Sequence, residues 1–420
     1  MEKVINLKTK SSSLAIFKNI VIGYLKNYKK GKLKLTLENN EVLTFGDESM
    51  TWEADIKVTS ENFYKKVVLS GDIGFSESFM DGDWTTKDLK KVFNWAILNL
   101  EDSGIISGKK NKNYQINLMS FTNKLRHLLN ANTLKGSQKN ISYHYDLSNQ
   151  FYELMLDPTM TYSCGYFEQT KDLQTAQIKK YELIANSLGI KDGDSVLEIG
   201  CGWGGFARYI NSKYNEITYK GVTISKEQLE YAKNSLKGVD KKDNYIEFNF
   251  EDYRSTTGKY DKIVSIEMIE AVGHENYPEY FNQINSLLKS NGVATIQAIT
   301  SPDSRYEQIR KGTDFIQKHI FPGSLLPSIR AITNACIDNE LHIFEIKDIG
   351  LHYAKTLSLW NTRFEDNWKE IEELGFNQVF KRKWHYYLKY CEAAFETRNI
   401  STQQITFIKP NNTHHNLLED

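Results

Sequence analysis

A run of glycines between a strand pattern and a helix pattern is the part of this 420-residue chain best suited to chemistry. In VLEIGCGWGG, Val196 to Gly205, an apolar strand ends in Gly200, Gly202, Gly204 and Gly205, so a ligand can approach the backbone without meeting a Cβ. A helix follows at once, and such a turn holds a nucleotide. A dinucleotide fingerprint uses the same turn, but it places an acid at the end of the second strand for the ribose hydroxyls. Here that end is GVTIS, Gly221 to Ser225, with neither Asp nor Glu; Thr223 and Gln228 offer a hydroxyl and an amide instead. EDYR follows the third strand and sets Asp252 and Tyr253 within reach of an adenine ring, although a surface turn has the same composition.

Other reactive residue types are less organised. Cys164, Cys201, Cys336 and Cys391 are scattered, with no CxxC pair and no His cluster at metal spacing, so reduced thiols and no metal are expected. No His and acid stand where they would activate Cys164 as a nucleophile. Glu270 precedes an apolar run and reads either as a functional carboxylate or as a helix cap. His274 in AVGHENYP suits capping or packing at the start of PEYFNQINSLL.

The elements that must position these residues divide into two folding units, because single cores rarely grow past ~250 to 300 residues. An N-terminal module, 1–102, begins with a helical pattern around Leu14 to Tyr28. LKLTL (Leu33 to Leu37), a turn at Asn39 and Asn40, and VLTF (Val42 to Phe45) then form a hairpin. Glycine punctuation in SGDIGFSESFMDGDW predicts a loop, and DLKKVFNWAILNL a closing helix. From 103 to 140 runs a basic segment: no acid stands between Ser103 and Tyr145, whereas Lys109, Lys110, Lys112, Lys124, Arg126, Lys135 and Lys139 do. Within it Leu118, Phe121, Leu125, Leu128 and Leu129 recur at helical spacing, giving an amphipathic helix for an anionic membrane surface or a solvated linker helix. The remainder, 141–420, is the candidate catalytic domain. From Ile190, DSVLEIG, ITYKGVTI, YIEFNF, KIVSIEM and GVATIQAIT read as strands, with GGFARYINSKY and SKEQLEYAKNSL as helices between the first three. That βαβ rhythm predicts a parallel sheet covered on both faces.

Bulk properties narrow the classes. With 40% hydrophobic and 12% aromatic residues the chain can bury a core. Lys plus Arg and Asp plus Glu number 53 each, so no net field steers the molecule to nucleic acid. No NPPY-type or Pro-Cys loop of a nucleic-acid methyltransferase is present either. No apolar stretch approaches the ~20 residues that span a bilayer, and the N-terminus lacks a signal-peptide pattern, so a cytoplasmic protein is expected.

Several blocks resemble the cyclopropane-fatty-acyl-phospholipid synthases: HYDLSNQFYELMLDPTMTYSCGYFE, VLEIGCGWGGFARYI, GVTISKEQ, SIEMIEAVGHENY, HIFPGSLLPSI and HYAKTLSLW, together with GDIGFSESFMDGDW. The glycine pattern after Glu198 is likewise similar to the first motif of S-adenosylmethionine methyltransferases. The resemblance implies a Rossmann-like class I methyltransferase domain with a smaller mixed α/β N-terminal domain. It implies S-adenosylmethionine in a pocket lined by Tyr162, Ser163, Gly200, Gly202, Thr223, Gln228, Asp252 and Tyr253. It also implies a bicarbonate ion as general base, held by the backbone at Cys164, the carboxyl of Glu270, Ile299 and Tyr353. Many relatives carry a histidine where this chain has Gln297, which donates a hydrogen bond but cannot become cationic. The implied substrate is the unsaturated phospholipid of a membrane, approached peripherally from the cytoplasmic face by a homodimer.

The implied reaction sets demands. An isolated alkene is a poor nucleophile even toward a methylsulfonium, so proximity must supply much of the acceleration, ~7 to 11 kcal/mol at best. Attack leaves a carbocation that water would quench, so the pocket must be dry and rich in π-faces, each giving ~2 kcal/mol when desolvated. Tyr143, Tyr145, Phe151, Tyr152, Tyr162, Tyr166, Phe167, Phe321, Tyr353 and Trp360 crowd the motifs, two or three of them expected to face the cation. The alternatives are an alkene C-methyltransferase ending at a methyl-branched or methylene chain, a relative that methylates an alkaloid amine, and a lipid-binding scaffold without turnover.

Overall fold

The computed structural model describes residues 5–415 except 48, 50, 100–146 and 241. The basic segment, with Tyr143, His144 and Tyr145, therefore lies outside the described residues. Contacts divide the described chain into two units, one of residues up to 99 with Gly312–Ile320 and Lys369–Asn399, the other of residues 147–311 with Phe321–Trp368 and 400–415. The division is discontinuous in sequence, where the sequence reading drew continuous boundaries.

In the first unit, helix α1 (Ile5–Leu25) precedes strands β1 (Lys32–Thr36), β2 (Val42–Gly46), β3 (Glu53–Val58) and β4 (Trp84–Thr85), in sheet order β2-β1-β3-β4. The hairpin β1–β2 is as expected, with Asn40 at φ 64° in its turn. The segment read as a glycine-rich loop is instead mostly helix: α2 spans Asn62–Met80, broken only where Gly71 adopts φ 59°, ψ −129°. Apolar spacing overrides the glycines there, since Ile73, Phe79 and Met80 are buried and Trp84 Nε1 donates to the Phe75 carbonyl at 3.1 Å. Helix α3 (Leu89–Leu98) is capped by Asp88, whose carboxylate accepts from Lys91 N–H at 3.2 Å. The stretch 378–396 joins this unit because its apolar face, with Tyr386 4.8 Å from Phe93 between ring centres, packs there and Lys90 pairs with Glu392 at 3.2 Å.

In the second unit the strands β5 (Ser195–Ile199), β6 (Thr218–Thr223), β7 (Tyr245–Phe250), β8 (Tyr260–Ile266), β9 (Leu288–Thr300), β10 (His342–Asp348) and β11 (Ser401–Ile408) form one sheet of order β10-β11-β9-β8-β5-β6-β7. The five strands from β9 to β7 across the sheet pair in parallel as expected, but β11 runs antiparallel to both β9 and β10. The wholly parallel expectation is corrected by this antiparallel edge, whose strands β10 and β11, separated in sequence by helices, are not among those expected from the sequence. Helices α4 (Asn149–Met155), α5 (Leu173–Leu188), α6 (Gly205–Lys213), α7 (Lys226–Ser235), α8 (Tyr277–Leu287), α9 (Ile329–Cys336) and α10 (Gly350–Asp366) surround it. Successive strand residues bury on opposite faces: Leu197 and Ile263 pack with Tyr280, Phe281 and Ile332, while Val196 and Val264 pack with Ile184, Phe206 and Ala232. No helix among the described residues is long and apolar enough to cross a membrane.

Candidate active site

The C-terminal ends of β5 to β9 bring the sequence-predicted residues to one edge of the sheet, where open α/β sheets place ligands. After β5, Gly200, Gly202 and Gly204 adopt φ of 82°, 51° and 78°, which only glycine reaches at little cost. A Cβ on Gly200 would stand 2.7 Å from the Met268 Cγ, whereas one on Gly202 would meet nothing within 4 Å. The turn thus leaves room for a ligand above Gly202, and the start of α6 lies directly behind it. Glu198 is buried, its carboxylate accepting from the Tyr219 hydroxyl, and burial lifts its pKa to about 7. At the end of β6, the Thr223 hydroxyl donates to Gln228 Oε1 at 3.1 Å. Beyond β7, Asp252 accepts from Arg254 Nε at 2.9 Å and Tyr253 lies edge-on to Tyr280. Hydroxyl, amide, partly exposed aromatic ring and open glycine turn make a donor set that fits S-adenosylmethionine.

A second set of residues surrounds Glu267, which the sequence reading did not single out. Its backbone has φ 51°, a left-handed conformation that costs a non-glycine residue about 1 kcal/mol and is kept where surroundings enforce it. Its Oε1 accepts from the Cys164 N–H at 2.9 Å and from Gln297 Nε2 at 2.8 Å, and its Oε2 accepts from the Tyr353 hydroxyl at 2.7 Å. Two of these donors are themselves fixed. The loop carrying Cys164 is tied to α5, where Gln177 Nε2 donates to the Ser163 carbonyl at 2.8 Å and Lys180 Nζ to the Ser163 hydroxyl at 2.7 Å. It is tied to α10 by Gly165 N–H on the Thr356 hydroxyl at 3.0 Å. Gln297 accepts at its Oε1 from Gln404 Nε2 at 3.0 Å, which aims its own amide nitrogen at Glu267. The Cys164 thiol is fully buried and burial holds it well above its ordinary range, so only the backbone of this residue is offered to the site.

Glu270 stands apart from that set. Its Oε1 accepts from the Ile299 N–H at 2.5 Å, while its Oε2 is buried with no hydrogen-bond partner among the described residues. Burial, then the neighbouring Glu267 charge, pushes its pKa to about 8, so it is protonated at neutral pH. Glu267 is also raised by burial, opposed by its three donors and by Lys180. Three donors against one place the pair's negative charge on Glu267 and its proton on Glu270. Lys180, wholly buried, is drawn down to about 8 by desolvation, against the pull of Glu267, Cys164 and Glu198.

These contacts bear on bicarbonate. Of the groups expected to hold it, Cys164 N–H and the Tyr353 hydroxyl, and Gln297 beside them, already serve the Glu267 carboxylate, and Ile299 serves Glu270. A further anion ~4 Å from Glu267 would be repelled by ~4 kcal/mol at an effective dielectric of 20. The residues present do not fit a bicarbonate ion.

An aromatic wall adjoins Glu267 through Tyr353, whose ring is 6.0 Å and edge-on from Trp360. Trp360 lies 5.1 Å from Tyr162, and Tyr162 is 6.4 Å from Phe321 and 5.5 Å from Tyr152. Tyr166 and Phe167 instead flank His352, and Phe151 packs on Phe364, so these serve packing. His274 bonds Tyr306 at 2.5 Å beside the start of α8. Among the described residues, no group of three His, Cys, Asp or Glu side chains is arranged for a metal ion. Glu267 was visible in sequence only as the first carboxylate of SIEMIE; Lys180 looked like any helix-surface lysine.

Residues 132–405 match the family described as mycolic acid cyclopropane synthetase. The chain is 36% identical to the cyclopropane-fatty-acyl-phospholipid synthase of Escherichia coli, over 84% of this chain and 87% of that one. It is 34% identical to the tuberculostearic acid methyltransferase of Mycobacterium tuberculosis, over 87% of each chain. Its fold is similar to the crystal structure of the mycolic acid cyclopropane synthase CmaA1 complexed with SAH and CTAB, with TM-score 0.60 and 32% identity, over 65% of this chain and 98% of that one.

Proposed function

The chain belongs to the cyclopropane synthase family of S-adenosylmethionine-dependent methyltransferases, and from that premise we propose that it alkylates the cis double bond of unsaturated phospholipid acyl chains to give cyclopropane fatty acids. The observation that carries this reading is the Glu267 carboxylate, held by three donors and set through Tyr353 against the Tyr162–Trp360 aromatic wall, at the same sheet edge as the glycine turn. When bound, S-adenosylmethionine supplies an electrophilic methyl group, whose C–S bond electrons return to sulfur as the alkene π pair forms the new C–C bond. Gly200, Gly202, Thr223, Gln228, Asp252 and Tyr253 hold that cofactor in this reading, with Tyr162 and Ser163 at its reacting end. The aromatic faces stabilise the acyl-chain cation and exclude water. Glu270, kept protonated, lends its proton-bearing carboxyl to the site without adding a second charge.

In the same proposal the protein works as a peripheral homodimer on the cytoplasmic face of the membrane, its basic segment, 103–140, meeting anionic headgroups, each basic group contributing ~1 kcal/mol. The similarity to the tuberculostearic acid methyltransferase, over as much of the chain as to the phospholipid synthase, favours one second reading: the same alkylation ending at a methyl-branched or methylene chain. The test is incubation of purified protein with methyl-labelled cofactor and defined unsaturated phospholipid vesicles. A labelled fatty acid that has gained CH2 and resists hydrogenation is a cyclopropane; one that has gained CH2 and takes up hydrogen is a methylene product, and one that has gained CH4 is a saturated methyl-branched chain. Label reaching only nitrogen or oxygen, or no lipid at all, ends the proposal.

A further inference from the structure

Building on the alkylation reading, we propose that the Glu267 carboxylate is itself the base that removes the proton from the transferred methyl group, so that turnover needs no bicarbonate. Three donors from separate parts of the chain converge on it: the Cys164 N–H, the Gln297 amide and the Tyr353 hydroxyl. Those are groups that an anionic base needs for support, and the chain supplies the anion covalently. Gln297 suits this arrangement. A neutral amide, fixed by Gln404, supports one carboxylate, whereas two adjacent anions would call for a cation there. Glu267 keeps a left-handed backbone and partial exposure, while Gln297, Cys164, Tyr353 and Glu270 are buried. A left-handed backbone at a partly exposed residue ringed by buried donors suits a reacting group; a structural staple would be served by a relaxed one.

The step balances. The cation on the acyl chain carries the new methyl group beside the electron-deficient carbon. A C–H bond of that methyl breaks, its proton passes to a Glu267 oxygen, and its electron pair forms the second C–C bond of the three-membered ring. A cation and a carboxylate become a neutral ring and a neutral carboxylic acid, which then loses its proton to solvent. If a 1,2-hydride shift first moves the cation onto the methyl-bearing carbon, loss of a methyl proton to the same base forms a C=C bond there and gives the methylene product, so the assignment holds for either outcome. Glu270 cannot take this proton near neutral pH because it already holds one.

The test uses the full-length protein, S-adenosylmethionine and vesicles of a cis-monounsaturated phospholipid, in buffer stripped of carbon dioxide and again with bicarbonate added. Wild-type turnover is expected to agree within about twofold between the two buffers, and Glu267→Gln to fall by ~100-fold or more, with S-adenosylhomocysteine binding and melting temperature retained. Glu267→Gly, which suits the positive φ, is expected to be inactive in stripped buffer and to regain turnover when bicarbonate fills the vacated donors. A wild-type requirement for bicarbonate overturns the assignment, as does full turnover by Glu267→Gln or by Glu267→Gly in stripped buffer. Wild-type protein that alkylates no unsaturated chain in either buffer instead removes the alkylation reading, and the base assignment with it.

Discussion

Gln404 on β11 donates to Gln297 on β9 at 3.0 Å, directly across the antiparallel pair that joins the two strands. An amide has one acceptor and one donor end, so this bond decides that Gln297 turns its nitrogen toward Glu267. Gln404→Leu should therefore let the Gln297 amide rotate, weakening one of three supports of the Glu267 charge. The expected result is a kcat lower by ~10-fold with KM for the cofactor unchanged, and an acid limb of the pH profile moved to higher pH. An unaltered profile would show that the strand pair does not orient the site.

Tyr353→Phe tests the same charge from the other side. Its hydroxyl donates to Glu267 Oε2 at 2.7 Å and holds the carboxyl below where burial alone would put it. Removing it raises the Glu267 pKa, and a base acts only when deprotonated. Activity should fall most at acidic pH and recover as pH rises, shifting the acid limb of kcat/KM upward. A uniform loss at all pH values would point to packing against Trp360 instead.

Glu270 makes an opposite kind of prediction. Its ordinary pKa of 4.5 is raised to about 8 in the folded protein, chiefly by burial and then by Glu267. Between those values the unfolded chain releases a proton that the folded chain keeps, so stability is greatest below pH 4.5 and declines as pH rises toward 8, by ~5 kcal/mol at most from this group. Glu270→Gln should flatten that part of the melting-temperature curve and keep turnover within ~10-fold, because a neutral amide replaces a neutral acid. Glu270→Ala, which leaves the Ile299 N–H unsatisfied, should abolish activity in a folded protein. Equal losses in the two variants would mean that an ionised Glu270 is needed.

Sequence and structure agree most closely where local pattern decides conformation. The strands and helices from Ser195 to Phe250 were legible because buried parallel strands are nearly continuous apolar runs and the glycines mark the turn between them. Helix α2 was not, because its glycines outweighed in appearance an apolar face recognisable only once Trp84 packs on it. Glu270 was read from its motif, but Glu267, three residues earlier, was not. A carboxylate closing an apolar strand looks like any solvated strand end, and its donors Cys164, Gln297 and Tyr353 lie far away in sequence. The membership of 369–399 in the first unit is likewise a long-range packing fact.

The aromatic wall predicts a graded effect at Trp360, which is fully buried between Tyr162 and Tyr353. Trp360→Phe keeps a π-face and should lower kcat by less than ~10-fold. Trp360→Leu removes it, and loss of ~2 kcal/mol of cation stabilisation corresponds to ~30-fold. Turnover per folded molecule is the measure, with melting curves separating lost packing from lost chemistry. If Leu and Phe behave alike, the wall shapes the acyl channel without stabilising charge.

Gly202 isolates cofactor binding from the rest. Its φ of 51° strains any side chain, yet a Cβ there meets no protein atom within 4 Å, so the space is left for the ligand rather than for packing. Gly202→Asp puts a carboxylate into that space and should weaken S-adenosylhomocysteine binding by ~100-fold or more in calorimetry, at a folding cost of only ~1 to 2 kcal/mol. Gly200→Ala makes the contrast, because its Cβ would stand 2.7 Å from Met268, next to Glu267 in the chain. That variant should disturb turnover through the Met268–Glu267 segment as well as binding. Were Gly202→Asp to bind the cofactor product as tightly as wild type, the glycine turn would not be the cofactor's cradle, and the aromatic wall and Glu267 would have to be placed about a different donor.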